Sequence, residues 1–419
     1  MNPRSNNIGV YADPAWLEGP VEMGSLRRQT SGGRDLLSFA YSGSWLRQPD
    51  ALSLDPDLSL VVGPLYPPPR RASFGIFLDS SPDRWGRLLM QRRENLHARR
   101  AGRPPRTLSE WDYLLGVQDE TRLGALRFRQ PEGGDFIEHD DLFSVPPLVL
   151  LRELQAASLQ FEQHLDDERH PEYERWLAQL YAPGTSLGGA RPKATVRDEH
   201  GALCIAKFPS RQDLRDIGAW ECVAHRLAAA AGIQVPDFRP LRLAGNPHST
   251  FLAKRFDRTT VGRRLAFVSA LTLTQRLDGE PGGSYLELVE LLQARGANTR
   301  RDCLELFRRV VFSILIHNCD DHLRNHGFVL SPRGIELSPA YDLNPTPDGM
   351  ELSLAINEVE THCDVAIVMG ARKDYGISQA EADRVLREVR TVVGAWRREA
   401  EVLQIPKAEQ DLMAACFAS

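Results

Sequence analysis

HNCDDHLRN, residues 317–325, sets two His, one Cys, two adjacent Asp and a closing Asn within nine positions. Several chemistries use such a set. A zinc cage would draw on Cys319, His322 and His326, the two His standing four apart as on one helix face. The intervening residues do not make H-E-x-x-H, and His362–Cys363 is the next ligand-type pair downstream. A Ser–His–Asp hydrolase is a second reading, and structural polar residues of a buried loop are a third. Phosphoryl transfer is the fourth. Asp320 and Asn325 are five apart, the spacing of a kinase catalytic loop, where Asp accepts the substrate hydroxyl proton and Asn holds magnesium. Seventeen residues beyond Asn325, Asp342 lies in LSPAYDLNP (337–345), a strand–turn context suited to a second magnesium carboxylate. Magnesium prefers one or two carboxylates completed by phosphate oxygens and water, and this set fits that preference.

Three upstream stretches weigh toward the fourth reading. GTSLGGARPKA (184–194) has glycines that let backbone N–H groups approach an anion, with Arg191 and Lys193 beside them. A tight turn between strands is the plainer account of it. In CIAKFPS (204–210) Lys207 stands in an apolar, β-like run, where an ammonium must reach water or an anionic partner. It lies 13 positions beyond Ala194, about where a hairpin strand returns beneath the glycine loop. Glu221 follows on a helix with Trp220, Val223, Ala224 and Leu227, and it is the candidate partner for Lys207. Glycine loop, strand Lys, helix Glu, Asp-x4-Asn and Asp is the order of kinase parts.

The bulk numbers agree with an ordinary globular chain: 419 residues, 42% hydrophobic and 26% charged. A net charge of −5 argues against wholesale coating of nucleic acid. The first residues lack the apolar core of a secretory signal, and no apolar run approaches the roughly 18 residues needed to cross a bilayer. Six well-separated cysteines without a C-x-x-C pair read as reduced thiols of a cytoplasmic protein, with Cys319 the exception kept open. Residues 31–46 alternate as a half-buried strand, and Pro-rich 61–70 is excluded from a central strand. SSPDRWGRLLMQRRENLHARR (80–100) opens a helix carrying Arg84, Arg87, Arg92, Arg93, Arg99 and Arg100, with Arg103 and Arg106 following. That face is either solvated or a dock for nucleic acid or an acidic partner. Residues 145–183 are helical with an acidic middle. A strand–turn–strand unit follows 184–194, then a helix over 216–232, a strand pair near 238–256, and mostly helix to the end.

SLGGARPKA, IAKFP, KRFDR (254–258), NCDDHLRN and SPAYDLNP together resemble the signature segments of the HipA family of bacterial serine/threonine kinase toxins, and FGIFLDSSPDRWGRLLMQRR (74–93) resembles that family's small N-terminal subdomain. The resemblance implies an α+β fold, a two-lobed protein-kinase-like (HipA-like) core with a small strand-rich N-terminal subdomain (1–130), a strand-rich ATP-binding part (145–260) and a helical catalytic lobe (261–419). It implies ATP and Mg2+ as cofactors. Asp320 would be the catalytic base, with Asn325 and Asp342 as the metal residues. Nucleotide contacts would fall to Ser186, Gly188, Gly189, Ala190, Lys193, Lys207, Lys254, Phe256 and His322. Ser186 would be the autophosphorylated residue. The partners implied are a helix-turn-helix antitoxin of HipB type, operator DNA reached mainly through that antitoxin, and a protein substrate of the aminoacyl-tRNA synthetase class, with no membrane. A small-molecule phosphotransferase and a non-catalytic pseudokinase acting with a DNA-binding antitoxin are the alternatives. Lys254 departs from the acidic residue familiar at the start of the hinge-like segment.

Overall fold

The computed structural model of the protein describes residues 5–31, 34–49, 51–138, 145–184 and 189–417. By contact the chain forms two compact units, Met1–Arg211 with Asp257–Val268, and Gln212–Phe256 with Ser269–Ser419.

The first unit contains a five-stranded antiparallel sheet in the order β4-β3-β2-β1-β5, made from β1 (Asn7–Ala12), β2 (Val21–Ser31), β3 (Arg34–Tyr41), β4 (Pro64–Leu65) and β5 (Leu126–Arg129). Strict alternation in NIGVYA buries Ile8, Val10 and Ala12 on one face. The strand expected over 31–46 ends at Tyr41. Ser42 then accepts a hydrogen bond from the Trp45 amide and starts the short helix α1 (Gly43–Leu46). Proline confines β4 to two residues at the sheet edge.

After α2 (Gly75–Asp79), Asp83 caps α3 (Arg84–Arg100) by accepting from Gly86 N, 2.8 Å away. α4 (Glu110–Leu115) follows, and the segment 145–183 forms α5 (Leu151–Gln163) and α6 (Tyr173–Gly184). Trp85 and Leu89 of α3 pack with Ala157, Phe161, Tyr173, Leu177 and Leu180 of this helical pair. The Arg-rich face is therefore neither simply solvated nor simply open to a partner. Glu168, in the acidic turn between α5 and α6, takes Arg92 at 2.8 Å and Arg99 at 2.6 Å, and Glu174 pairs with Arg100. Arg87 grips Glu110, Arg103 grips Glu94, Arg106 grips Asp112, and Arg93 lies over the Tyr181 ring. Surface pairs of this kind contribute about 0–1 kcal/mol each, so the apolar cluster beneath them carries the contact. Residues 257–268 are stitched into this unit by Asp257, which accepts from Gly124 N at 3.0 Å, and by Arg264, which donates to the Asp119 carbonyl.

β6 (Lys193–Arg197) and β7 (Leu203–Lys207) form the expected hairpin, its turn closed by Asp198 accepting from the amides of His200 and Ala202. In the second unit Asp216 caps α7 (Ile217–Ala230), and β8 (Phe238–Leu241) pairs with β9 (Thr250–Lys254). The chain leaves the first unit along β10 (Ala266–Ser269) and continues the second with α8 (Ala270–Leu273). A Ser284–Glu287 capping box starts α9 (Tyr285–Arg295), and α10 (Thr299–Leu315) buries VVFSIL completely. One element departs from the expected run of helix. GFVLSPRGIEL folds as the hairpin β11 (Gly327–Ser331) and β12 (Gly334–Leu337), turned by Gly334 at φ +130°. α11 (Val365–Ala371), α12 (Gln379–Val393), α13 (Trp396–Val402) and α14 (Lys407–Met413) complete the unit. Among the described residues no helix is long and apolar enough to cross a membrane.

Phe161 is fully buried and meets Trp85 edge-on at 5.9 Å. Phe161→Ala should cost about 3–5 kcal/mol, read as a lowered denaturant midpoint with an unchanged slope.

Candidate active site

The end of α10 aims the loop 317–326. After Ile316 the backbone turns through His317 at φ +48°, and Asn318, 99% buried, accepts from the Asn344 amide at 2.9 Å. The two adjacent aspartates then part. Asp320 is exposed, whereas Asp321 is buried. Asp321 Oδ1 lies 2.8 Å from His326 Nε2, and Oδ2 accepts from the hydroxyls of Tyr285 at 2.6 Å and Ser313 at 3.3 Å. Burial pushes the Asp321 carboxyl up, but His326 and the Tyr285 hydroxyl outweigh it and hold the group below its ordinary value. Asn325 turns back on the loop, its Nδ2 donating to the Asp320 carbonyl at 2.9 Å and its amide donating to His322 O at 2.8 Å. His322 is half-buried, with Nδ1 unpartnered among the described residues.

A second segment lies against this loop. Tyr341 donates its hydroxyl to Arg324 O at 2.7 Å and stacks on Phe256 at 5.5 Å between centroids. Asp342 occupies the left-handed region at φ +59°, and Asn344 Nδ2 donates to its Oδ1 at 3.1 Å. Phe256, Tyr341, Asp342 and the Asp320–Asn325 loop thus form one connected group. Lys254, half-buried at the end of β9, donates its amide to Asp237 O at 2.8 Å.

The remaining candidates, apart from Glu221, belong to the first unit. Ser186 and Gly188 lie outside the described residues. Gly189 and Ala190 are exposed, and Gly189 adopts φ +95°, the region glycine tolerates without strain. Lys193 is 99% buried, with Nζ 2.5 Å from Asp83 Oδ2 and 2.9 Å from Gly189 O. It ties the glycine loop to the cap of α3. Lys207 is half-buried and stands directly opposite Lys193 in the β6–β7 register, so both side chains leave the same face. Glu221, in the second unit, is buried on α7. Gly184–Gly188 has the G-x-S-x-G spacing of a hydrolase elbow, and its residues 185–188 lie outside the described residues.

The donor set suits magnesium. Asp320, Asn325 and Asp342 offer hard oxygens, and Asn344 Oδ1 is buried beside Asp342 without a partner among the described residues, an acceptor that a cation or its water would satisfy. No group of three or more His, Cys, Asp or Glu among the described residues is placed to hold a metal, so the zinc cage is not assembled. Sequence reasoning missed Asn318, Tyr285 and the inward role of Asp321. Apart from the doubled Asp, no local pattern marks them.

Residues 185–396, half of the chain, match the family model of the HipA-like C-terminal domain. Y4dM of Sinorhizobium fredii, named as a candidate kinase, is 28% identical over 250 residues, covering 56% of this chain and 55% of that protein. A Haemophilus influenzae protein of the same description is 26% identical over 188 residues, covering 39% and 54%. The chain therefore spans about half the length of these relatives. Among solved structures, a chain of the toxin–antitoxin complex of HipA, HipB and operator DNA from Shewanella oneidensis MR-1 superposes with a TM-score of 0.65 at 15% identity, over 98% of this chain and 95% of that one. That likeness establishes the expected α+β, HipA-like fold.

Asp321→Ala should cost about 3–5 kcal/mol at neutral pH, since it strands the partners of a buried charge. A depressed folded pKa contributes stability above the ordinary Asp range and loses it as pH falls through the folded value. The gap between the denaturant midpoints of the two proteins should therefore narrow as pH falls below the ordinary Asp range.

Proposed function

Since the chain belongs to the HipA-like C-terminal domain family, we propose that it is an ATP- and magnesium-dependent serine/threonine protein kinase, acting in the cytoplasm as the toxin of a toxin–antitoxin pair. The observation that carries this reading is the bond from Asn325 Nδ2 to the Asp320 carbonyl, which sets an exposed carboxylate and an amide oxygen on one rigid turn. Asp320 accepts the proton of the substrate hydroxyl as that oxygen attacks. Asn325 and Asp342 present oxygens to magnesium. Lys207, Lys193 and the backbone at Gly188, Gly189 and Ala190 bind phosphate oxygens. Lys254 and Phe256 border the base, and His322 stands on the loop beside the nucleotide. Bound Mg-ATP supplies the γ-phosphoryl group.

The solved complex of HipA with HipB and operator DNA supports a helix-turn-helix antitoxin of HipB type as partner, with DNA reached mainly through it. The substrate is a translation protein of the aminoacyl-tRNA synthetase class, whose phosphorylation halts aminoacylation. Phosphate on Ser186 adds about −1.5 to −2 charges to a loop that binds phosphate, and so switches the kinase off.

Purified protein given labelled ATP and magnesium should label itself and one protein band of a cell lysate. Asp320→Ala should lower this transfer about 10²–10⁴-fold. Labelling of a metabolite in place of a protein would favour a small-molecule phosphotransferase, and ATP binding without any transfer would favour a pseudokinase. During preincubation with ATP, wild-type transfer should decay while Ser186→Ala protein keeps its activity. Equal decay of the two would remove Ser186 from the scheme.

A further inference from the structure

Cys319 immediately precedes Asp320, and its Sγ lies 4.0 Å from Sγ of Cys363, 44 residues further along the chain. Both side chains are half-buried, so small oxidants reach them, whereas Cys204, Cys222, Cys303 and Cys416 are buried. The surroundings hold the two thiols face to face. Cys319 O accepts from Ser353 N at 3.0 Å and from Ser353 Oγ at 2.8 Å, and Cys363 N donates to Met350 O at 2.9 Å. Leu352 N donates to Thr361 O and Glu351 bridges His362, so residues 350–363 return on themselves beside the loop. Gly349 closes the remaining side. A Cβ there would stand 2.4 Å from Cys319 Sγ, so the pocket around the sulfur depends on glycine.

We propose that Cys319 and Cys363 form a reversible disulfide that clamps the loop carrying Asp320. The oxidant is a peroxide. The Cys319 sulfur attacks one peroxide oxygen, the O–O bond breaks, and a sulfenic acid and one water result. The Cys363 sulfur then displaces hydroxide from that sulfenic sulfur, giving the disulfide and a second water, so two thiols and one hydrogen peroxide become one disulfide and two waters. A disulfide needs sulfurs about 2.05 Å apart, so bonding draws the pair together by about 2 Å. Because Cys319 adjoins Asp320, whose carbonyl holds Asn325, that movement acts on the segment carrying Asp320. Misplacing a reacting group by about 1 Å costs on the order of 100-fold in rate. The loss of transfer rests on the kinase reading, and the disulfide does not.

Full-length protein is reduced, exposed to hydrogen peroxide, alkylated and digested without reductant, beside Cys363→Ser and Cys363→Ala. Mass spectrometry reads the Cys319–Cys363 peptide pair, and amide hydrogen exchange over 317–325 and phosphate transfer are followed on the same samples. The expected result is the linked pair, slower exchange in the loop and transfer lowered about 100-fold, all reversed by dithiothreitol and all absent from both variants. Absence of the linked pair overturns the proposal, as does a linked pair that leaves exchange in 317–325 unchanged. A linked pair with slowed exchange in a protein whose reduced form transfers no phosphate sustains the clamp and removes the kinase reading.

Discussion

Asp321 is a carboxylate taken out of water, and the shape of the candidate site follows from satisfying it. An ionised carboxyl in a protein interior costs several kcal/mol unless partners surround it. His326, Tyr285 and Ser313 supply them, from the loop's far end, from the start of α9 and from α10. Asp321 adjoins Asp320 and His326 adjoins Asn325. Once the inner pair is satisfied, the outer pair has little freedom: Asp320 must face outward, and Asn325 folds onto its carbonyl. Asn318 extends the arrangement by holding the Asn344 amide, which sets the turn that carries Asp342.

Much of this was legible in local spacing. The Asp-x4-Asn interval, the β6–β7 hairpin and the helix start at Asp83 depend on residues within a few turns of one another. What was not legible depends on distance along the chain. Adjacent aspartates are chemically identical, and Tyr285, 36 residues before Asp321, is among the groups that decide which one turns inward. No spacing rule reaches that far. The β11–β12 hairpin was hidden for a different reason: Pro332 interrupts its alternation at the turn, and the flanking helices set the expectation.

The Arg-rich and acidic stretches show the same limit on a larger scale. Each, read alone, suggests an exposed charged surface. Arg92 meets Glu168 across 76 residues and Arg100 meets Glu174 across 74, because Trp85, Leu89 and Phe161 bring α3 and the α5–α6 pair together. Apolar packing determines which charges become neighbours, and the ion pairs then fix orientation with little added stability. A basic stretch in a chain of net charge −5 can therefore serve its own fold.

The Lys193–Asp83 contact has a consequence for dividing the chain into parts. The family match begins at residue 185, which suggests a module that could be excised there. Lys193 lies just inside that boundary and Asp83 far outside it, yet the ammonium is almost wholly buried against this carboxylate. A fragment starting at 185 would keep the lysine and discard its counter-ion, along with the α3 and α6 surfaces around it. The region shared by the family is a unit of descent, while the unit of folding here includes the strand-rich segment that precedes it.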